Sequence, residues 1–167
     1  PEDFHQCPTG VDQIQDYSNV EEIQQCELLG MSDLNTGKSN VRDVIVKFLR
    51  DLRTLGVAGF RIDAAKHIAA SELKQIVDQL PSDTTFIDEV IGDLPPQSDY
   101  YAFSHVFSFD WVNQMHNTFG STGLLGGSAD QAYFDLLSPS DKTVTMVSNH
   151  DTERNGLRQF ALTRIGA

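Results

Sequence analysis

Positive charge is scarce in this chain. Lys and Arg together number 12 against 24 Asp and Glu, a formal net charge of −12. So acidic a surface repels phosphate backbones and anionic bilayers, which argues against nucleic-acid partners and against membrane binding. Long apolar runs are lacking too: none approaches the ~20 residues needed to span a bilayer. There is no Gly-rich GxxxxGK[ST] loop, which weakens any reading as a nucleotide phosphotransferase. An initiator Met and a signal peptide are also missing. The chain opens at Pro1 in polar sequence and closes at Ala167 in a helical pattern. It therefore reads as a piece of a longer protein whose targeting signal would lie elsewhere.

What is present suits a folded unit. With 167 residues, 40% hydrophobic and 22% charged, the composition is that of one globular unit or part of a larger one, not of a disordered chain. The two cysteines, Cys7 and Cys26, enclose 18 residues rich in Asp, Gln, Asn and Ser. A bridge there would stabilise a segment with little core by roughly 3 kcal/mol and would imply an oxidising compartment. Spacing alone leaves a disulfide and two reduced thiols equally open.

Residues 1–38 read as loop. From Asn40 onward Val41, Val44, Ile45, Phe48, Leu49, Leu52 and Leu55 recur at helical spacing, with Asn40 as the cap and Gly56 as the stop. Residues 57–63 read as a buried strand. A helix follows, capped at Ser71, with Leu73, Ile76, Val77 and Leu80 inward and Pro81 ending it. Further strands are expected at 84–90, 105–111 and 143–150. Helices are expected at 112–119, 129–137 and 157–165, with Gly-rich loop before the second of these. Strands separated by helices imply an α/β fold with parallel pairing, which both a doubly wound sheet and part of a (β/α)₈ barrel satisfy.

In parallel α/β folds reactive groups gather where strands end. Three expected strands end on carboxylates: Asp63 in FRIDAAKH, Glu89 in FIDEV and Asp151 in VSNHD. Arg61, two residues before Asp63, leaves the same strand face, and Asp88 beside Glu89 faces the other way. Lys66 and His67 follow Asp63, while Asn149 and His150 precede Asp151. Each carboxylate has a bland alternative: Asp63 as a helix cap, Glu89 as a solvated edge residue, His150–Asp151 as a turn. Three on one sheet edge are harder to dismiss, because clustered carboxylates repel one another. Several carboxylates without a nucleophilic Ser or Cys suit glycoside hydrolysis. Magnesium-dependent phosphoryl transfer is the weaker alternative.

The stretches GVAGFRIDAAKH, FIDEVIG and VSNHDTERN resemble, in order and spacing, signature regions of the α-amylases, glycoside hydrolases built on a (β/α)₈ TIM barrel. MSDLNTG at 31–37 resembles a further signature, in the small domain that protrudes after the third barrel strand. The likeness is closest to the calcium- and chloride-dependent animal and bacterial type. It implies that 1–38 form the end of the protruding calcium-binding domain and 39–167 about half of the barrel, strands four to seven. By position, Asp63 would be the nucleophile, Glu89 the general acid and then base, and Asp151 the third carboxylate, which binds sugar hydroxyls and distorts the ring. Retention at the anomeric carbon would follow, with nucleophile and acid about 5–5.5 Å apart. Arg61 would hold Asp63 ionised, and Lys66, His67, His150 and Tyr17 would line the substrate cleft.

The same resemblance implies calcium held by the Asp33 side chain and the carbonyls of Gln24 and His67, an all-oxygen set suited to a hard cation. It implies chloride at Arg61 and Asn149, where an anion near Glu89 would disfavour its ionised form. It also places a disulfide at Cys7–Cys26. Ser148 stands where close relatives often carry Asp, Asp88 where they often carry Gln, and Gln24 where they often carry Arg. The implied parent is a secreted, extracellular enzyme, monomeric at full length, that hydrolyses α-1,4-glucosidic bonds in starch, glycogen or maltooligosaccharides. An exo-glucosidase or transglycosylase of the same superfamily, or a non-catalytic barrel homologue, are the alternatives. The family's first signature region and the flanking strands lie outside this sequence, so the isolated chain is expected to be marginally stable and inactive.

Overall fold

A computed structural model of the chain describes residues 2–113, 139–146 and 148–154. The chain divides into two compact units, Pro1–Val106 and Phe107–Ala167. In the first unit the elements run α1 (Val20–Gln25), α2 (Ser39–Thr54), β1 (Gly59–Ile62), α3 (Ala70–Val77), β2 (Thr85–Asp88) and β3 (His105–Phe107), the last reaching the unit boundary. β1 pairs with β2 and β2 with β3, all in parallel. The α/β expectation therefore holds, with each strand shorter than the sequence suggests.

The core between helices and sheet comes from the apolar sides of these elements. Val46 and Leu49 of α2 and Ile76 of α3 pack with Leu80 and with Phe86 of β2. A second cluster joins Ala65, Leu73, Val90, Tyr100 and Val106. Gly59 opens β1 because a Cβ there would stand 2.6 Å from the Thr85 carbonyl oxygen on the paired strand, a clash that no side chain survives. Gly56, at φ +94°, takes the left-handed turn that ends α2, in the stopping role the sequence gives it.

Several local expectations are corrected. Residues 1–38 are not all loop: α1 forms there, with the Asn19 side chain accepting from the Glu21 N–H at its start. α2 begins at Ser39 after Lys38, which makes no side-chain cap; Asn40 lies inside the helix and donates to Asp3 Oδ1 at 2.8 Å. α3 begins after Ala69, so Ser71 is not its cap either. Val44 and Phe48 on α2 and Leu55 just after it are exposed, whereas Val46 is buried. The apolar stripe is wider than the sheet beneath it, because β1 is the edge strand among the described residues. Phe48 and Ile45 line an apolar groove with Phe60 and Ile62 beside that edge.

The Cys7–Cys26 disulfide is formed, which settles the alternative that spacing left open. It ties the N-terminal segment to the end of α1, and α1 is held to the turn after β1 by a bond from the His67 imidazole to the Ile23 carbonyl.

In the second unit the Ser108 N–H donates to the Val144 carbonyl at 3.0 Å, in the short strand β4 (Thr143–Val144). Residues 109–113 are helical, so Trp111 belongs to a helix and not to the expected strand. The strand expected through 150 stops at Val144, and His150 opens the helix α4 (His150–Arg154). The helices expected at 129–137 and 157–165, and most of that at 112–119, lie outside the described residues.

Candidate active site

β1 and β2 deliver their last residues side by side. Alternation along β1 puts Arg61 and Asp63 on one face, and the parallel register Arg61↔Ile87 puts Glu89 on that face as well. The Arg61 guanidinium then bridges two carboxylates: Nη1 donates to Asp63 Oδ1 at 2.5 Å and Nη2 to Glu89 Oε1 at 2.7 Å. Burial works against the charge on Arg61, but the two carboxylates more than offset that and hold its pKa above the usual value. The two acids differ sharply in solvent access. The Asp63 side chain is 74% exposed and that of Glu89 only 7%.

The backbone completes the grip on Glu89. Directly after Asp63 the chain turns through Ala64, a non-glycine residue at φ 47°. Such a conformation costs on the order of 1 kcal/mol and persists only where the surroundings impose it. Here it aims the Ala64 N–H at Glu89 Oε2, 3.1 Å away. Glu89 N–H in turn donates to the Ile62 carbonyl at 2.9 Å. One buried and one exposed carboxylate, held on a single guanidinium, can divide acid and nucleophile roles between them.

Tyr17, Lys66 and His67 also come together. The Lys66 ammonium lies 5.3 Å from the Tyr17 ring centroid, and the His67 ring meets Tyr17 edge-on at 6.4 Å. Lys66 Nζ donates to the Ile91 carbonyl at 3.1 Å. Burial lowers the pKa of both Lys66 and His67; the Ile23 carbonyl opposes it at His67, and the Lys66 charge reinforces it. An exposed aromatic ring flanked by donors is a surface that a sugar can stack on and bond to. In the second unit His150 Nε2 lies 3.4 Å from Asp151 Oδ2 at the start of α4, and Asn149 stands just before it.

The residues expected to hold calcium offer oxygen donors, the kind a hard cation takes. Asp33 is half-buried, and burial raises its pKa despite a contact of 2.7 Å between its Oδ2 and His5 Nδ1. The two carbonyl donors, Gln24 and His67, sit on α1 and on the turn packed against it. Among the described residues no three His, Cys, Asp or Glu side chains gather as a metal-binding group. The expected set of one carboxylate and two carbonyls is all oxygen, which calcium accepts and a softer metal does not.

Sequence reasoning missed two features. His5 contacts Asp33 across 28 residues of chain, which no local pattern announces. The Ala64 N–H is a backbone donor, invisible in side-chain chemistry.

No family model matches the chain. It is 35% identical over 168 residues to an α-amylase of Thermomonospora curvata, covering 92% of this chain and 26% of that one. It is 36% identical over 173 residues to an α-amylase of Tribolium castaneum, covering 95% of this chain and 34% of that one. A crystal structure of a mutant of α-amylase I from Eisenia fetida, in complex with maltohexaose, superposes with a TM-score of 0.82 at 27% identity, over 92% of this chain and 35% of that one. The chain thus spans between a quarter and about a third of the length of these relatives. Sequence relatives and superposed fold agree: this chain belongs to the α-amylase family.

Proposed function

We propose that this chain is part of a secreted, monomeric enzyme that hydrolyses internal α-1,4-glucosidic bonds of starch, glycogen and maltooligosaccharides with retention. The observation that carries the reading is the shared guanidinium, which sets Asp63 and Glu89 on one strand-end face. Exposed Asp63 attacks the anomeric carbon while Glu89, as the acid, gives its proton to the leaving oxygen. Glu89 then takes a proton from water, and that water displaces Asp63 from the sugar. Asp151 binds sugar hydroxyls and favours the distorted ring; His150, His67, Lys66 and Tyr17 hold neighbouring hydroxyls and ring faces. Retention needs the two carboxyls about 5–5.5 Å apart, a spacing that one guanidinium between them is able to set. Residues 1–38 belong to a protruding calcium-binding domain and 39–167 to about half of a (β/α)₈ barrel in this reading. The disulfide suits an extracellular setting, and among the described residues no helix is long and apolar enough to cross a membrane.

The test is starch hydrolysis by an enzyme restored to the relatives' full length, with calcium present. Glu89→Gln should lower the rate by about 10²–10⁴-fold, the usual loss on removing an acid–base group. Equal activity in the variant would sink the assignment. A folded, calcium-binding parent inactive on every α-glucan would point to a binding role instead.

The Asp33 carboxylate and the carbonyls of Gln24 and His67 would hold calcium, whose fixed positive charge would help to keep α1 against the turn after β1. A thousandfold excess over its Kd should stabilise the protein by about 4 kcal/mol, and Asp33→Ala should remove that gain. Scanning calorimetry with and without chelator checks this, and identical melting curves would overturn it. Chloride at Arg61 and Asn149 would compete with Glu89 for the guanidinium and favour the protonated acid of the first step. Kinetics in chloride-free buffer test this: an unchanged rate would count against it.

A further inference from the structure

β2 ends on two carboxyls that point opposite ways. Glu89 joins Arg61 and Asp63 on one face of the sheet. Asp88 is paired with Ile62 on β1 and Val106 on β3, and shares the other face with them. Asp88 is 0% exposed, and neither of its carboxylate oxygens has a hydrogen-bond partner among the described residues.

The polar groups on its side are already committed. Ser104 Oγ is near enough to ease the ionisation of Asp88 a little, yet its proton goes to the His105 carbonyl at 2.8 Å. The Tyr100 hydroxyl donates to the Ile68 carbonyl at 2.9 Å, with the Ala65 carbonyl at 3.3 Å. Burial, then Asp88, then Asp99 raise the Tyr100 pKa, so the phenol stays neutral and offers no positive charge. From β1, Arg61 and Asp63 are turned to the Glu89 face. On β3, His105 pairs with Ile87, in register with that same face, and is exposed. An unpaired carboxylate in such a place costs several kcal/mol, and the group keeps its proton instead. Burial accordingly pushes the Asp88 pKa up to about 7.

We propose that Asp88 is a positioning residue for Glu89: as the neutral acid it lets the end of β2 pack. When it gives its proton to solvent, that end shifts to bring the new charge to water and loosens Glu89 from the Ala64 N–H and Arg61. Adjacency enforces the link, since Asp88 cannot move outward without carrying the Glu89 backbone, whose N–H is bonded to Ile62. The consequence for catalysis rests on the proposed role of Glu89; the coupling between the two residues does not.

The experiment is a pH titration of this chain by NMR, with aspartate carboxyls labelled in ¹³C and the backbone in ¹⁵N. The Asp88 carboxyl should step at about pH 7. The Ala64 amide proton should step at the same midpoint, and in Asp88→Asn the Ala64 step should vanish. An Asp88 midpoint in the ordinary carboxylate range overturns the proposal. So does an Ala64 amide that ignores Asp88, or one that keeps its step in Asp88→Asn. If the variant does not fold, coincidence or disagreement of the two wild-type midpoints decides. Coincident midpoints in a chain whose restored parent cleaves no α-glucan would sink the proposed function and leave the coupling standing.

Discussion

Arg61→Leu should destabilise the chain by about 2 kcal/mol at neutral pH, and most of that loss should disappear when Glu89→Gln is added. Glu89 is the buried partner and Arg61 a third exposed, so the pair lies between the surface and the fully buried case. Breaking a buried pair by removing one member costs about 3–5 kcal/mol, and solvent access to the guanidinium reduces that figure. The Ala64 N–H still bonds Glu89 after the change and supplies part of the compensation. Glutamine in place of Glu89 removes the stranded charge, which is why the second change should restore stability. Urea denaturation of the four members of the cycle gives the coupling directly. Additive losses would show that the guanidinium and Glu89 are neighbours in space with no energetic tie.

The residues that make this site were legible because the strand ends carry them in fixed local patterns. Arg61 and Asp63, two apart, had to share a face of any strand. Asp88 and Glu89, adjacent, had to split between two. The structure adds what those patterns could not contain: a parallel register that brings residues 25 to 28 positions apart into one hydrogen-bonded set. Charge type alone does not give the exposure of the pair. Nothing in FRID or FIDEV says that Asp63 meets water and Glu89 does not, since this depends on how far each strand end stands out from its neighbours.

Helix termini were the least legible part, and the reason is competition for the same side chains. Asn40 has the chemistry of a cap, but Asp3, far off in sequence, takes its amide. α1 escaped notice because VEEIQQ buries only Glu22 and Ile23, too little for an apolar period. Glu22 shows how a polar helix is held instead. Its carboxylate accepts from the N–H groups of Gln15 and Asp16 and from the Asn19 amide. The apolar face of α2 was read from periodicity, which reports what a helix can bury and not what lies beside it. Val44 and Phe48 stay exposed on a helix that packs beside the edge strand β1.

Asp88→Asn should make the chain more stable at alkaline pH and leave it nearly unchanged in acid, with a gap of up to about 4 kcal/mol above pH 8. The sign follows from which state holds the proton. Burial raises the Asp88 pKa in the folded chain from 3.8 to about 7. Between those limits the folded state keeps a proton that the unfolded state has released, so stability falls as pH rises and is lost in full above the folded pKa. Asparagine has nothing to release, and its curve should lack this fall. Other shifted groups contribute to both proteins alike. Asp33, raised by burial, also loses stability with rising pH, while His67, lowered by burial, loses it as pH falls through its range. Their effects cancel in the difference between wild type and variant, measured by urea denaturation from pH 4 to 9. A difference that stays flat across that range would mean that Asp88 ionises freely inside the fold. A fall smaller than about 4 kcal/mol would mean, by the same linkage, a folded pKa below about 7, as when a strand end that moves to let water reach the carboxylate recovers part of the cost of burying it. The shortfall then measures the same movement that the Ala64 amide should report. Against the 5–15 kcal/mol typical of a whole domain, even half of the full effect would make alkaline pH the condition in which the β2 end opens first.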